Sequence, residues 1–339
     1  MNASLKELAE KILSGGRINR EEAIPLLSLK GESLYDLFYW ANTVRHHYKG
    51  NEITCCAIMS AKRGKCPEDC RFCAQSLWYE TGVGETPLVG EETVRDATLG
   101  AVSSRASALG LVTSGKRLTH GELVSLCREI RANGDVMPIH ASLGLLTQEG
   151  AKLLYLSGVR RYNHNLETSR RFFPSLCTTH TYEDRLTTIS VAKEAGMEVC
   201  SGGIFGVGES PEDRLELAFT LRELDVDTVP LNFLHPIPGT PLENSQRLSP
   251  MEILGVIALF RLILPDKEIK VAGGRQENLR NLQSWIFYTG ASSIIIGDYL
   301  TAKGSPPQVD LQMIADLGLQ VRPPLRNPNE GQQVSSRRL

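Results

Sequence analysis

The sequence lacks an apolar run of the roughly 18 to 20 residues that a membrane-spanning helix needs, and it starts with a charged amphipathic pattern instead of a signal peptide. It also lacks an excess of charge of one sign, because the net charge is -2 in 339 residues. Such a chain is not expected to bind nucleic acid or a membrane, so a small-molecule partner is predicted. Eight cysteines are too few for a disulfide scaffold, which indicates a reducing, cytoplasmic location.

What the sequence does contain is a repeated order of short β-branched runs and longer helical segments. The runs of strand type stand at residues 53–60, 108–112, 136–142, 160–165, 197–205, 227–233, 269–274 and 292–297. Helix-length segments separate them, several with Asp or Thr near the start and Gly near the end. Eight such units predict an α/β fold, a (β/α)8 TIM-type barrel with its chemistry at the carboxyl ends of the strands.

The segments outside the predicted barrel differ from it in pattern. Residues 1–48 have helical periodicity and are expected to form an N-terminal helical cap. The barrel is expected to occupy residues 49–320. Residues 321–339 are rich in Pro, Gln, Ser and Arg, which predicts a disordered C-terminal tail.

Three cysteines lie within the eight residues CPEDCRFC, which directly follow the first predicted strand. Cys66, Cys70 and Cys73 have the spacing C-x3-C-x2-C and are expected on a loop at the barrel mouth. Thiolates are soft ligands that suit zinc or iron–sulfur clusters. A structural zinc site needs four ligands, and no further Cys or His follows at zinc-finger spacing. Three thiolates would leave one iron of a cluster with an open coordination position.

This spacing, with an aromatic residue before the last cysteine, resembles the radical S-adenosylmethionine (SAM) enzymes. In that superfamily the amino and carboxylate groups of SAM bind the unique iron of a 4Fe–4S cluster. Within it, roughly residues 35–320 resemble the biotin synthase family. The segments that carry this resemblance are GKCPEDCRFCAQS, RYNHNLETS, CTTHTYEDRL, CSGGIFGVGES, VPLNFLHPIPGTPLE and AGGRQENLRNLQ. It implies a sulfurtransferase in which a 5'-deoxyadenosyl radical activates dethiobiotin and cluster sulfur closes the ring of biotin.

The resemblance also implies roles for individual residues. SAM would be bound by Phe72 beside the adenine, Asn165 and Glu167 at the ribose, Arg185 at the carboxylate, and Gly206 and Glu209. An amide and a carboxylate two residues apart on a strand would point to the same face, as a pair that holds one sugar requires. The glycines of the segment GGIFGVGE would let the backbone approach the ligand closely.

The substrate is expected to contact a second set of residues. By the resemblance, Asn232 and Asn165 would hydrogen-bond the ureido ring of dethiobiotin, and Lys270 would also bind substrate. An amide suits a cyclic urea because it offers both a donor and an acceptor. The family further implies an electron donor such as flavodoxin or ferredoxin, and a homodimer.

The second cluster of the family is usually held by three cysteines and an arginine, and here the sequence departs from the pattern. The corresponding positions are occupied by Ser107, His140, Cys200 and Lys270. The common two-iron site is therefore not expected.

Other thiols offer a replacement for the missing ligands. Cys56 on the first strand and Cys177 on a mouth loop, together with Cys200 and His140, form a possible four-ligand set for an auxiliary iron–sulfur cluster. Ordinary packing is the alternative for each of them, because a lone buried cysteine is usually a small core residue. Cys127, within a helical pattern, is expected only to pack.

Two other functions stay open at the level of sequence. One is a related radical enzyme that inserts sulfur into octanoyl chains or rearranges carbon without a sulfur donor, which the substitutions at the second cluster allow. The other is a non-catalytic iron–sulfur carrier. The segments NHNLE and GGIFGVGE disfavour a carrier, since it has no need of a SAM pocket.

Overall fold

Residues 3–324 are described by a computed structural model, and within them parallel strands alternate with helices along the chain. The strands are β1 (Glu52–Lys62), β2 (Ala108–Thr113), β3 (Ile139–Ser142), β4 (Arg161–Asn163), β5 (Glu198–Cys200), β6 (Gly203–Phe205), β7 (Thr228–Phe233), β8 (Glu268–Val271), β9 (Ser293–Ile295) and β10 (Gln320–Val321). The helices are α1 (Ala3–Leu13), α2 (Arg20–Ala23), α3 (Glu32–Lys49), α4 (Glu91–Ser103), α5 (His120–Asn133), α6 (Gln148–Leu156), α7 (Tyr182–Glu194), α8 (Pro211–Glu223), α9 (Pro250–Ile263), α10 (Arg275–Leu279), α11 (Trp285–Tyr288) and α12 (Pro307–Asp316). Short 3-10 helices span Ile24–Ser28, Phe173–Ser175 and Arg280–Leu282.

The sheet closes on itself through its first and ninth strands. The order is β1-β2-β3-β4-β5-β7-β8-β9, and β1 then pairs in parallel with β9, with Thr54 opposite Ser293 and Cys56 opposite Ile295. β5 and β6 both pair with β7, so the two short strands share one position in the sheet order. The predicted (β/α)8 TIM-type barrel is confirmed. None of the helices among the described residues is long and apolar enough to cross a membrane.

The predicted run 197–205 is wrong as a single strand, because two glycines interrupt it. A side chain at Gly202 would place its Cβ 1.9 Å from the carbonyl oxygen of Pro230, and one at Gly203 would place it 2.4 Å from that of Glu167. At these two glycines the main chain lies close to the main chain of Pro230 and Glu167. They are needed to pack the segment around Glu167 against the sheet, which differs from the predicted close approach to a ligand.

The predicted run 160–165 is also shorter in the structure, since β4 ends at Asn163. Asn165 and Glu167 both lie beyond the end of β4. The expectation that they share one strand face is therefore wrong. Glu167 has a left-handed backbone with φ of 71° and forms an isolated bridge with Gly203. Its amide donates to the Gly202 carbonyl at 3.0 Å, and its carbonyl accepts from Ile204 at 2.8 Å.

The N-terminal helices pack against the outer ring of the barrel. α3 packs on α9 and α11, while α1 packs on α3. The Tyr48 hydroxyl donates to the carbonyl of Ile12 at 2.8 Å, and Arg222 of α8 donates to that of Ile18 at 2.7 Å. α9 is consequently covered on both sides and is almost entirely buried, as its apolar sequence requires.

The end of the described chain returns to the first strand. In β10, Gln320 pairs in parallel with Glu52 and Val321 with Ile53. The Arg322 amide donates to the carbonyl of Ile53 at 2.8 Å. The first residues of the predicted tail thus lie against the sheet, and residues 325–339, the rest of that tail, lie outside the described residues. The division at residues 48 and 320 stays a prediction.

Candidate active site at the barrel mouth

A cavity of about 310 Å³ extends from the loop after β1 into the interior of the barrel. Cys66, Cys70 and Cys73 line it at the mouth, whereas Cys56 and Cys200 line it from strands deeper in the barrel. The structure therefore brings the three predicted mouth ligands together, and it places a second group of thiols on the same cavity.

The mouth loop is held in place by its own backbone and by a neighbouring loop. The Cys66 amide donates to the carbonyl of Gln75, the Cys73 amide to that of Cys70, and the Arg71 amide to that of Leu176, each at 2.9 Å. Burial raises the pKa of the Cys66 thiol and raises that of Cys73 to about 11. These thiols therefore carry protons at neutral pH, and a metal that binds them must displace those protons.

The residues predicted to bind the ribose and carboxylate of SAM meet beside the cysteine loop. Arg185 donates through Nη1 to the Asn165 carbonyl at 2.6 Å and lies 3.5 Å from Oε1 of Glu167. Asn165 Nδ2 donates to Oε2 of Glu167 at 3.4 Å. Burial raises the pKa of Glu167, and the guanidinium of Arg185 opposes that rise. A cation, an amide and a carboxylate are thus presented together to the cavity.

A second cavity of about 300 Å³ shares Cys73, Asn165 and Glu167 with the first. Phe72 lines it, and so do apolar side chains that include Ile204 and Leu234. A largely apolar cleft beside the cysteine loop suits a flat aromatic ring such as adenine.

Gly206 and Glu209 have a different position from the other predicted SAM residues. The Glu209 carboxylate accepts from the amides of Gly206 at 3.0 Å and Val207 at 2.8 Å, and from Nε of Arg214 at 2.8 Å. Ile204 of the same segment lines the second cavity, whereas Gly206 and Glu209 line neither of these two cavities. Their contacts close the turn between β6 and α8.

The deep end of the first cavity combines thiols with basic side chains. Cys56, His140, Cys200 and Lys270 all line it. Burial lowers the pKa of Lys270, but the neighbouring sulfurs of Cys56 and Cys200 outweigh that effect and raise it above its usual value. Burial, with the charges of Arg161 and Lys270, lowers the pKa of His140, so its imidazole is neutral and able to bind a metal.

Cys177 is not placed with this deep group. Its sulfur lies 3.6 Å from that of Cys70, 3.2 Å from Oδ1 of Asp69 and 3.2 Å from Nδ1 of His180. The ligand atoms of Glu68, Cys177 and His180 lie within 4.8 Å of one another. The predicted set of Cys56, Cys177, Cys200 and His140 is therefore divided between the mouth and the interior.

Ser107 also lies away from the deep group. Its hydroxyl donates to the carbonyl of Arg322 at 2.7 Å and accepts from the amide of Cys55 at 3.3 Å, next to the contacts of β10. The residue of β2 that lines the cavity at this depth is Gly110.

Two residues that the sequence analysis did not select also line the cavity. Oδ1 of Asn163 and Nε2 of His164 are buried and have no hydrogen-bond partner within residues 3–324. Buried polar atoms are normally paired, so these are candidates for contacts with a ligand. The signal was present in the sequence, because Asn163 stands two residues before Asn165 in the segment NHN.

Asn232 lies where the two cavities meet. Its Oδ1 accepts from the Gly273 amide at 2.9 Å, and its Nδ2 donates to the Gly203 carbonyl at 3.1 Å. The amide keeps a second N–H and a second lone pair for a ligand.

Two sequence families match this chain. Residues 64–221 match the Radical SAM superfamily, and residues 230–320 match the Biotin and Thiamin Synthesis associated domain. The first match contains the cysteine loop and the residues around Glu167, and the second contains Asn232 and Lys270.

Curated proteins match over nearly the whole chain. The biotin synthase of Geotalea daltonii is 50% identical over 325 residues, which cover 95% of this chain and 98% of that protein. The biotin synthase of Geobacter sulfurreducens is 49% identical over 320 residues, with 94% and 97% covered.

Solved structures with much lower sequence identity share the fold. The crystal structure of methylornithine synthase, PylB, has a TM-score of 0.82 at 20% identity, with 96% of this chain and 99% of that chain covered. The FeFe-hydrogenase maturase HydG from Carboxydothermus hydrogenoformans has a TM-score of 0.79 at 18% identity, with 94% and 79% covered.

Proposed function

Because the chain belongs to the biotin synthase family, we propose that it converts dethiobiotin into biotin by SAM-dependent radical sulfur insertion. The observation that carries this proposal is that a single barrel cavity joins the three mouth cysteines to a deep group with Cys56 and Cys200. A reaction that generates a radical and then adds sulfur needs two sites on one enclosed space. The chain is accordingly a radical SAM sulfurtransferase.

Cys66, Cys70 and Cys73 would hold the 4Fe–4S cluster of this family. Three thiols on one loop, with their backbone fixed and their sulfurs facing a cavity, fit such a group. When bound, the cluster supplies the electron that cleaves SAM to methionine and a 5'-deoxyadenosyl radical. The barrel walls would shield the cavity from water, and the loop residues would orient SAM over it.

SAM would be bound by residues from three segments of the chain. Arg185 would pair with the carboxylate of SAM, while Asn165 and Glu167 would bind the ribose hydroxyls. Phe72 would contact the adenine in the second cavity. Arg185 contacts the Asn165 carbonyl and the Glu167 carboxylate, and the Asn165 side chain donates to Glu167, which supports this assignment because these contacts fix the three residues relative to one another before a ligand binds.

Dethiobiotin would lie between the mouth and the deep thiols. Asn232 and Asn163 would hydrogen-bond its ureido ring, together with Asn165. The unpartnered Oδ1 of Asn163 supports this, since the N–H groups of a cyclic urea are the donors that it lacks. The ammonium of Lys270 would face the substrate side of the deep group.

The sulfur source would be an auxiliary iron–sulfur cluster at the deep end, held by Cys56, Cys200 and His140. Two thiols, a neutral imidazole and an adjacent ammonium form a donor set suited to an iron–sulfide group. Cys177 is left out of this set because its contacts are with Cys70.

Three further features follow from membership of the family. We infer an electron donor of the flavodoxin or ferredoxin type, a homodimer and a cytoplasmic location. The N-terminal helices and the C-terminal tail would be accessory to the barrel.

The proposed function is tested with anaerobically reconstituted protein, SAM, dithionite and dethiobiotin. We expect 5'-deoxyadenosine and biotin from the wild type, and neither product from Cys70→Ala. Cys56→Ser/Cys200→Ser should still release 5'-deoxyadenosine but form no biotin. If the wild type leaves dethiobiotin unchanged and adds sulfur to an octanoylated peptide, the proposed substrate is wrong. Release of 5'-deoxyadenosine by Cys70→Ala at the wild-type rate would contradict the radical mechanism.

A further inference from the structure

Two large apolar side chains are exposed on the outside of the cysteine loop. Leu77 is 59% exposed and Trp78 is 65% exposed, and the neighbouring Pro67 is exposed as well. Single exposed apolar residues are ordinary, whereas a contiguous apolar patch beside a functional loop indicates a contact surface. We propose that this mouth patch, formed by Pro67, Leu77 and Trp78, is the docking surface for a small acidic electron-carrier protein. This inference rests on the proposed function, because it assumes that the mouth cysteines hold the cluster that receives the electron.

The mouth patch is bonded to the backbone of the cysteine loop. The Leu77 amide donates to the carbonyl of Cys66 at 2.8 Å, and Nε1 of Trp78 donates to that of Pro67 at 3.0 Å. The Trp78 amide also donates to the Ser76 hydroxyl at 3.1 Å. The patch is therefore held on the segment that carries the cysteines, one hydrogen bond away from the backbone of Cys66.

This attachment gives an electron a short route from the surface to the loop. A carrier that rests on Leu77 and Trp78 loses one electron to the cluster on the loop, is itself oxidised by one electron, and transfers no atom. The patch residues line neither of the two cavities described above, whereas Cys66 and Cys73 do line the first. A bound carrier and bound SAM would therefore lie on opposite sides of the loop and would not compete.

The negative charges of the cysteine loop are turned away from the mouth patch. Glu68 is buried, and its carboxylate accepts from the Thr179 hydroxyl at 2.8 Å. The Asp69 carboxylate accepts from the amide of Thr178 at 2.8 Å and from that of Thr179 at 3.2 Å. Both carboxylates are thus bound to the neighbouring loop, and neither is directed at a partner on the patch.

Positive charge is in excess on the two loops around the patch. Three basic side chains there have no ion-pair partner within residues 3–324: Arg71, Lys116 and Arg117. Lys65 pairs with Glu85, so these two charges cancel. Glu80 is the exposed carboxylate that remains. A basic surround of an apolar centre attracts a partner with an acidic face and orients it.

The size of the mouth patch favours a transient partner over a second copy of this chain. Weak electron-transfer complexes bury less than about 1,200 Å² in total, whereas permanent dimers bury more and have a larger apolar surface. Trp and Arg, both present here, are the residues that contribute most to such contacts. In a symmetric dimer the same patch would also face itself, which would bring the basic side chains of both copies together.

Binding is tested by calorimetry with anaerobically reconstituted full-length protein and an oxidised bacterial flavodoxin, which has no electron to deliver. We expect Leu77→Asp and Arg71→Glu each to weaken binding about tenfold at low ionic strength, because each places negative charge against an acidic partner. Leu156→Asp is the matched control, since Leu156 is 63% exposed at the end of α6, away from the barrel mouth. It should bind flavodoxin like the wild type. Absence of binding by the wild type would overturn the inference.

Electron delivery is tested by the formation of 5'-deoxyadenosine with two reductants. With limiting reduced flavodoxin, Leu77→Asp and Arg71→Glu should be about tenfold slower than the wild type. With dithionite all three should be equally fast, because this small reductant needs no docking surface. An equal loss with both reductants would mean damage to the cysteine loop, and unchanged rates with flavodoxin would place its docking surface elsewhere. Either result would overturn the inference.

The wild type offers a test without substitution in the loop. Carbodiimide coupling joins lysines of this chain to carboxylates of flavodoxin, and we expect a cross-link at Lys65, which is 63% exposed, and none at Lys152 of α6. Cross-links confined to other faces would contradict the proposed surface. If Leu77→Asp converts a dimer into a monomer in ultracentrifugation, the patch is an interface between two copies instead. Failure to form biotin leaves the binding and cross-linking readouts intact, so the two proposals fail separately.

Discussion

Single side chains in the cavity differ in how far the protein itself satisfies them. The Asn232 amide bonds to backbone at both ends, whereas Oδ1 of Asn163 has no partner among the described residues. A buried acceptor without a partner costs free energy until a ligand supplies the donor. The two asparagines therefore contribute differently to binding and to stability.

We expect Asn163→Ala and Asn232→Ala each to weaken dethiobiotin binding by roughly 1 to 3 kcal/mol, because each removes a hydrogen bond to a buried group. Only Asn232→Ala should also destabilise the fold, since it frees the Gly203 carbonyl and the Gly273 amide. Equilibrium binding in the presence of SAM and urea denaturation measure the two effects. Unchanged binding in Asn163→Ala would remove that residue from the substrate site.

The roles of individual residues could be predicted from the sequence where those roles depend on local spacing. The spacing of Cys66, Cys70 and Cys73 is a property of one short loop, and the structure gathers them on one cavity. The position of Cys177 beside Cys70, away from Cys56, was not predictable, because it depends on how loops 68–71 and 176–180 bond across the mouth. Sequence order states which strand a loop follows, but it does not state which neighbour the loop contacts.

At the level of secondary structure, the interruption between β5 and β6 positions the site. We expect Gly203→Ala to destabilise the protein by roughly 1 to 3 kcal/mol, because the added methyl group would meet the Glu167 carbonyl at 2.4 Å. It should also weaken SAM binding through displacement of Glu167. Gly121→Ala in α5 is the matched control, since a Cβ there meets nothing within 4 Å. Equal midpoints of unfolding for the two variants would contradict this account.

The start of α5 is joined to β1 by a single carboxylate. Glu122 closes a capping box with Thr119 and accepts from Lys62 at 2.7 Å. The hydrogen bond from Lys62 lowers the pKa of Glu122. Its stabilising contribution is therefore present above the unfolded-state pKa of about 4.3 and is lost as the pH falls through the lower folded-state value.

We expect Glu122→Gln to lower the free energy of unfolding at pH 7 by about 0.5 to 1 kcal/mol, because Gln keeps the cap but loses the ion pair. Glu122→Ala should cost about 1 to 2 kcal/mol, because it loses both. The difference between wild type and Glu122→Gln should disappear in acid. Urea denaturation at pH 7 and at pH 3 provides the measurement, and a difference as large at pH 3 as at pH 7 would exclude the charge as its cause.

Secondary structure followed the sequence most closely where periodicity and caps agree. The run 108–112 and β2 nearly coincide, and Thr181 caps α7, in agreement with the Thr expected near helix starts. The run 197–205 failed because hydropathy does not show that Gly202 must approach the Pro230 carbonyl. That contact lies between segments distant in sequence, which a local pattern cannot record.

For the molecule as a whole, two separate iron sites in one barrel should be visible in the iron content. We expect the wild type to hold about twice the iron of Cys56→Ser/Cys200→Ser, on the assumption of two clusters of equal size. The triple variant that adds Cys177→Ser should lose no further iron, because Cys177 lies at the mouth. Iron analysis with Mössbauer spectra checks both statements. Equal iron in wild type and double variant would mean a single cluster and would exclude sulfur donation from the deep site.

The first strand of the barrel is bonded to segments from far along the chain, and this affects how the protein is made. β1 pairs with β2 on one edge and with β9 on the other, so the second edge waits for residues 293–295 to be synthesised. The cysteine loop follows β1 directly and is translated long before that edge is covered. A nascent chain therefore presents its thiols on an open sheet, where a bound cluster would be exposed to solvent and oxygen. We expect stalled ribosome-bound chains of about 280 residues to take up no stable cluster, which places stable metal insertion after the synthesis of β9.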